Sequence, residues 1–404
     1  MRYINKNFLV EGIKVKNLIK KFKTPIYCYS YEKLKTNINN FKKSFKSFDP
    51  LVCFSVKSNS NLGLLREIRK LGFGADVVSI GELMKALKAG INPKKIVFSG
   101  VGKTSEELSY SIKKKILLIN AESESEIIEI ERIAKSQKTI VDIGIRLNPE
   151  IDAKTLDQIS TGKKENKFGV IENTFLKLVK YSQNSKHVNL KCLSVHIGSQ
   201  IIKNKPYEKM LKIIDKIIKK SNHKFTFIDL GGGIGISYNN KIKKLNYKKY
   251  NLAINNFLKN HKSKIIFEPG RSIIGDAGIL ISKIIYIKQT KNKDFIILDA
   301  GMNDLMRPAL YGAKHQIITV FKKNKKSNKT YEFVGPICES TDKFLTVKNF
   351  EKLNEKDLII IRDVGAYGMS LSSNYNERPK PVEVLIKGSK INIIKKRQKL
   401  IDLI

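Results

Sequence analysis

The sequence predicts an α/β protein built as a (β/α)8 TIM-type barrel, followed by a C-terminal β-rich domain that also recruits the N-terminal segment. Three observations carry this. Between about Tyr27 and Gly275, short apolar runs alternate with amphipathic helical stretches. Strands alternating with helices imply parallel pairing through crossover connections. The apolar runs number eight in about 250 residues, the count and length of such a barrel. After Gly275 the helical stretches nearly vanish and strand patterns follow one another. A doubly wound sheet is the competing architecture for the first part.

The eight runs are Leu51–Lys57, Ala75–Ser79, Ile96–Val101, Ile116–Ala121, Val141–Asn148, Leu190–Gly198, Phe225–Leu230 and Ile265–Glu268. Helical periodicity marks Leu62–Leu71, Gly81–Ala89, Glu124–Lys135, Tyr207–Lys220 and Tyr247–Lys259. Later strands are expected at Ile279–Ile287, Phe295–Asp299, Tyr331–Val334, Leu358–Asp363 and Val382–Ile386. Phe8–Val15 reads as a further strand. The domains expected are residues 27–275 for the barrel, and 1–26 plus 276–404 for a β-sandwich or β-barrel-like domain. The lysine-rich stretch Lys323–Lys329 reads as a mobile loop.

Composition limits the function classes. The 404 residues suffice for two domains. No apolar run approaches the roughly 18 residues that span a membrane, and the N-terminus lacks the apolar core of a secretory signal. A cytoplasmic protein is expected. The four cysteines, Cys28, Cys53, Cys192 and Cys338, are scattered, which fits a reducing compartment and excludes a cysteine zinc site; no metal is expected. The formal charge of +40 invites a nucleic-acid reading. The excess is nearly all lysine, spread from end to end beside abundant isoleucine and asparagine, as a base-composition bias would produce. Arginine, the preferred reader of bases and phosphates, is scarce, so no specific nucleic-acid partner is expected.

Four unusual clusters fall at the C-terminal ends of the expected strands, the rim on which such barrels build their sites. Lys57 ends the first apolar run. His196-Ile197-Gly198-Ser199-Gln200 ends the sixth, Gly231-Gly232-Gly233-Ile234-Gly235 the seventh, and Glu268-Pro269-Gly270-Arg271 the eighth. Singly, each has a plain structural explanation: a solvated strand-closing lysine, a locally bonded histidine, a tight turn, an exposed ion pair. Together they form one rim. A lysine held against apolar surroundings becomes a usable amine nucleophile. Glycines let backbone N–H groups approach a phosphate closely. The run lacks the spacing of a dinucleotide fingerprint, and there is no Walker lysine. Amine, phosphate cradle, flat imidazole and carboxylate together suggest pyridoxal 5′-phosphate.

The chain resembles, over nearly its whole length, the fold-type III pyridoxal-phosphate decarboxylases, and among them the branch that acts on meso-2,6-diaminopimelate. Phe54-Ser55-Val56-Lys57-Ser58-Asn59 matches the family's Schiff-base motif. The resemblance implies that His196 stacks on the cofactor ring, that Ser199 and Gly231, Gly232 and Gly233 lie at its phosphate, and that Glu268 faces the pyridine nitrogen, with Gly270 and Arg271 making further contacts. In the second domain, Arg307-Pro308-Ala309-Leu310-Tyr311 resembles the motif gripping the distal carboxylate. Gly335-Pro336-Ile337-Cys338-Glu339-Ser340 resembles the segment with a proton-donating cysteine and a glutamate for the distal ammonium. Asp363-Val364-Gly365-Ala366-Tyr367-Gly368 resembles the segment whose tyrosine touches phosphate and substrate. Ser58 stands where alanine is more usual, and Ile337 where a smaller residue is.

The resemblance implies decarboxylation of meso-diaminopimelate to L-lysine and CO2, with Lys57, His196 and Cys338 catalytic. Arg271, Arg307, Tyr311, Glu339 and Tyr367 would read the substrate. It also implies a homodimer, with Cys338 and Glu339 contributed across the interface. Alternatives within the family act on ornithine, arginine or carboxynorspermidine; a racemase and a non-catalytic cofactor-binding protein are more distant ones. An always-charged planar arginine suits a distal carboxylate, and a carboxylate suits a distal ammonium.

Overall fold

The computed structural model describes residues 1–152, 161, 162, 165–238 and 244–404. The chain divides into two compact units. One comprises residues 38–236 and 243–272, the other residues 1–37, 237–242 and 273–404.

The first unit is the closed barrel. Its strands are β1 (Leu51–Ser55), β2 (Gly74–Val77), β3 (Ile96–Phe98), β4 (Leu118–Ala121), β5 (Val141–Arg146), β6 (Val188–Ser194), β7 (Phe227–Asp229) and β8 (Lys264–Phe267). Each pairs in parallel with the next, and β8 closes on β1 through Ile266 with Leu51 and Phe267 with Val52. All eight expected runs are therefore strands. Most end earlier than the apolar run does: β1 stops at Ser55, because Val56–Ser58 turns into a 3-10 helix. Side-chain caps start several of the helices between them. Asn61, Ser79 and Ser123 each accept an N–H from the first turn of Leu62–Lys70, Ile80–Lys88 and Glu124–Ser136. Thr104 and Glu107 form a reciprocal capping box on Ser105–Lys113. Each such cap contributes about 1 kcal/mol.

The barrel interior is layered. Cys53, Val97, Leu118, Cys192 and Ile266 form a buried apolar cluster. Successive side chains of a strand alternate faces, so the residue two further on points the same way. Those residues are Ser55, Ser99, Asn120, Ser194 and Glu268, and all are buried. The interior thus changes from apolar to polar in one step toward the C-terminal rim. Glu122 braces that rim: its carboxylate accepts the Gly100 and Gly169 N–H groups, both at 3.0 Å, and the Arg146 guanidinium at 2.8 Å.

The second unit carries a nine-stranded sheet. Its longest strand, Gly278–Gln289, pairs antiparallel with Lys293–Leu298, with Leu358–Ile361 and with Ile26–Ser30. Val382–Lys387 lies on the other side of Ile26–Ser30, in parallel. The boundary expected at Tyr27 thus falls inside a strand of this sheet, whose residues are fully buried or nearly so. Strands Ile317–Thr319, Thr330–Val334, Lys343–Val347 and Lys390–Lys395 complete it. The N-terminal residues join the same core: Phe8, Val10, Val15 and Leu18 pack with Ile26, Cys28, Ile279, Ile281 and Val384. Phe8–Val15 is not one strand. Glu11 and Gly12, with φ of +48° and +84°, turn Asn7–Val10 back onto Ile13–Lys14, and a helix starts at Val15. Lys323–Lys329, read as a mobile loop, is tied down: Ser327 N–H donates to Phe350 O and Lys352 N–H to Lys325 O, both at 2.8 Å. No helix among the described residues is long and apolar enough to cross a membrane.

Candidate active site

In the barrel unit, the expected residues converge on the C-terminal rim. Lys57 sits in the turn that follows β1. Ser58 donates its hydroxyl to Ser55 O at 2.7 Å, and Asn59 N–H donates to Val56 O at 2.9 Å, so the turn is internally fixed. The Lys57 ammonium lies 3.6 Å from Asp76 Oδ2, a fully buried carboxylate that also accepts the Ser55 hydroxyl at 2.8 Å. The sequence expectation of a lysine against apolar surroundings is corrected here. A strand interior supplied the acid, and Lys57 faces it with its side chain 40% exposed. Ser58 is accommodated because its neighbour is glycine: a Cβ on Gly270 would lie 2.8 Å from the Ser58 side chain.

His196 follows β6. Its Nδ1 accepts the Gly232 N–H at 3.1 Å, so the ring hydrogen sits on Nε2. Burial and the nearby Arg146 and Lys57 charges hold its pKa well below the usual histidine range, so the imidazole is neutral. The glycine run follows β7 and is shaped by contact. Gly231 and Gly233 have φ of +63° and +81°, where L side chains are strained. A Cβ on Gly231 would come within 2.6 Å of His196 Nδ1, on Gly232 within 2.1 Å of Glu268 O, and on Gly233 within 2.2 Å of Gly198 O. Beside this bare turn, Arg271 Nη2 donates to the Ser199 hydroxyl at 3.0 Å, and the arginine is buried.

Beneath the rim lies the polar layer. Ser99 donates to Glu268 Oε1 at 3.2 Å, and Asn120 Nδ2 donates to Ser99 Oγ at 3.2 Å and Asp229 Oδ2 at 3.0 Å. Burial and the nearby Asp229 and Asp76 charges push Glu268 well above the ordinary carboxylate range. A donor set of hydroxyl, guanidinium and backbone N–H groups around a cradle that a Cβ would fill, with a flat neutral imidazole and a buried acid, fits pyridoxal phosphate.

The remaining expected residues belong to the other unit. Arg307 opens the short helix Arg307–Tyr311 and is buried. It donates from Nη1 to His315 Nε2 at 2.8 Å, and its guanidinium lies 4.9 Å from the Tyr238 ring centre. His315 Nε2 must then accept, so its Nδ1–H donates to Arg362 O at 2.8 Å. Gly335–Ser340 wraps the Asp342 carboxylate, which accepts Ile337 N–H at 2.7 Å. Gly335 is needed there, since a Cβ would meet that carboxylate at 2.3 Å. The wrapping leaves Cys338 and Glu339 exposed. Glu339 Oε1 accepts the Tyr375 hydroxyl at 2.6 Å. Tyr367 is held at φ +57° and Asp363 at +60°, left-handed conformations that cost a non-glycine residue about 1 kcal/mol or more. Strain of this kind gathers at functional segments.

Asp76, Asp229, His315 and Tyr375 were not read from the sequence. A carboxylate inside an otherwise apolar run, as in Ala75-Asp76-Val77 and Ile228-Asp229-Leu230, was the available signal for the first two. Nothing local marks the others.

Residues 31–275 match the model of the pyridoxal-dependent decarboxylases, pyridoxal binding domain. A curated diaminopimelate decarboxylase of Helicobacter pylori is 44% identical over 389 residues, covering 96% of each chain. Two solved structures align closely. One is a diaminopimelate decarboxylase of Helicobacter pylori complexed with L-lysine (43% identity, TM-score 0.92, covering 96% of this chain and 98% of that one). The other is a diaminopimelate decarboxylase of M. jannaschii in complex with L-lysine (36% identity, TM-score 0.93, covering 100% and 96%). With a closed barrel, a rim lysine facing a buried acid and a bare glycine turn, this chain belongs to the diaminopimelate decarboxylase family of pyridoxal-phosphate-dependent enzymes.

Proposed function

We propose that the chain decarboxylates meso-2,6-diaminopimelate to L-lysine and CO2, the last step of lysine biosynthesis, with pyridoxal phosphate attached at Lys57. The observation that carries this is the rim itself: Lys57 opposite buried Asp76, His196 locked by Gly232, and Glu268 in the polar layer below. Pyridoxal phosphate, when bound, supplies the electron sink that lets an α-amino acid lose CO2. This chain's residues do the rest. Lys57 Nζ is the attachment amine, steadied by Asp76. His196 offers a flat neutral face for stacking, and Glu268 faces the pyridine nitrogen. Gly231, Gly232, Gly233, Ser199, Gly270 and Tyr367 receive the phosphate end.

Cys338 gives a proton to the carbon that has lost its carboxylate, a task for a thiol with access to solvent. Arg307, Tyr311, Arg271, Glu339 and Tyr367 read the far end of the substrate. A substrate without the distal carboxylate forgoes the charge-assisted hydrogen bonds that an arginine makes with that group, a ground for rejection. The active form is a homodimer in which Cys338 and Glu339 serve the partner's site; their exposure on the single chain supports this. The protein works in the cytoplasm, which suits four cysteines that are all free.

The test is one set of assays. Purified protein should show visible cofactor absorbance and release CO2 from meso-diaminopimelate far faster than from L-ornithine or L-arginine. Lys57→Ala should lose the visible band and at least 10³-fold in rate, on the order expected for removing a covalent-catalysis residue. A colourless wild type, or a preference for ornithine, overturns the reading.

A further inference from the structure

Glu268 has a buried partner whose purpose the proposed function leaves open. Asp229, the last residue of β7, is fully buried, and a hydrogen bond joins its carboxyl group to that of Glu268. Two carboxylates in contact in a dry interior cannot both ionise, so the pair holds a proton between them. The surroundings decide where it sits. Asp229 accepts the Gly231 N–H at 2.9 Å, the Asn120 amide at 3.0 Å and the Ser194 hydroxyl at 3.3 Å. Glu268 accepts the Ser99 hydroxyl at 3.2 Å. Donors favour the anion they surround. Asp229 is therefore the anchored carboxylate and Glu268 the protonated acid.

The site is built for this. Gly144 leaves the space that Asn120 occupies, since a Cβ there would lie 2.1 Å from Asn120 Oδ1. The other charged groups facing the pair are Asp76 and Lys57, which oppose each other 3.6 Å apart. Burial pushes Asp229 up to about 6, and Glu268 further, in keeping with that order.

We propose that Asp229 is a positioning residue for the cofactor's ring nitrogen: as the fixed anion behind Glu268 it keeps that acid proton-loaded and pointed, so Glu268 can pass its proton to the nitrogen and hold it there. This rests on the assignment of Glu268 to the ring nitrogen. The transfer balances: the Glu268 O–H bond breaks, its proton takes the nitrogen lone pair, and Glu268 is left as the carboxylate facing the new N–H. The second anion, Asp229, raises the proton affinity of the assembly and so keeps the nitrogen protonated to high pH.

The test is nitrogen-15 NMR of the holoprotein carrying pyridoxal phosphate labelled at the ring nitrogen, followed against pH. In Asp229→Asn, the ring nitrogen should lose its proton at a pH at least about one unit lower than in wild type, because the neighbouring negative charge is gone. A purely structural Asp229 would leave that midpoint in place, and equal midpoints overturn the proposal. Should the variant not fold, infrared difference spectra of wild type with and without cofactor ask the same question. One buried carboxylic-acid band should vanish on loading, and its persistence overturns the proposal. A wild type that takes up no pyridoxal phosphate sinks the functional reading and this proposal with it. A loaded wild type with unchanged midpoints sinks this proposal alone.

Discussion

Single residues differ in how far their surroundings can be read from their neighbours in the chain. Lys57, His196 and Glu268 each follow an apolar run, and a strand end on a barrel rim is where function gathers. Asp76 and Asp229 stand inside such runs, and only barrel closure brings them beneath the rim. Tyr375 lies outside every recognised motif, yet its hydroxyl donates to Glu339 at 2.6 Å. Tyr375→Phe removes that donor, and the loss of one hydrogen bond to a charged group is worth about 1–2 kcal/mol. The KM for meso-diaminopimelate should therefore rise about tenfold with little change in kcat. The melting temperature should stay within about 1 °C, because exposed pairs add little stability. Steady-state kinetics beside a thermal melt check both, and a fall in kcat alone contradicts the assignment of Glu339 to substrate reading.

Among the elements, the barrel strands were legible because each is a short apolar run alternating with amphipathic helical stretches. Three strands that follow Gly275 in the second unit were not. Ile317–Thr319 is only three residues long, and Lys343–Val347 and Lys390–Lys395 are polar at alternate or terminal positions, as strands with one wet face are. Ile26–Ser30 ran straight into the helix Tyr31–Ser44 and so read as the barrel's start. The glycine turn after β7 is an element whose form follows from crowding. Gly233→Ala forces a Cβ to 2.2 Å from Gly198 O at a left-handed φ of +81°. It should lower stability by at least about 1–2 kcal/mol. It should also cost the purified protein most of its visible cofactor band. Chemical denaturation and the absorbance of the purified variant test it; a fully coloured, equally stable Gly233→Ala protein would show that the cradle tolerates a side chain.

At the scale of the whole molecule, buried acids set the pH response. Asp304 is buried in the second unit, accepts Gly301 N–H at 3.0 Å, and is pushed by burial up to about 7. An acid whose folded pKa is raised stays protonated in the native state while the unfolded chain releases its proton. Stability therefore falls as pH rises from about 4 to about 7, by on the order of 1 kcal/mol per unit, and levels off above. Asp304→Asn should flatten that slope, which urea denaturation at several pH values measures; an unchanged slope shows that other groups govern it.

The same unit has an order of assembly written into it. Ile26–Ser30 is made well before both of its sheet neighbours, Gly278–Gln289 and Val382–Lys387. At the ribosome's pace of about 5–20 residues per second, the second of these follows by roughly tens of seconds. Until then a strand destined for complete burial waits with open edges, a state prone to wrong pairing. The barrel, encoded between, has time to close while its flanking strand is still unpartnered. Slowing synthesis late in the chain would thus threaten the first strand more than the last.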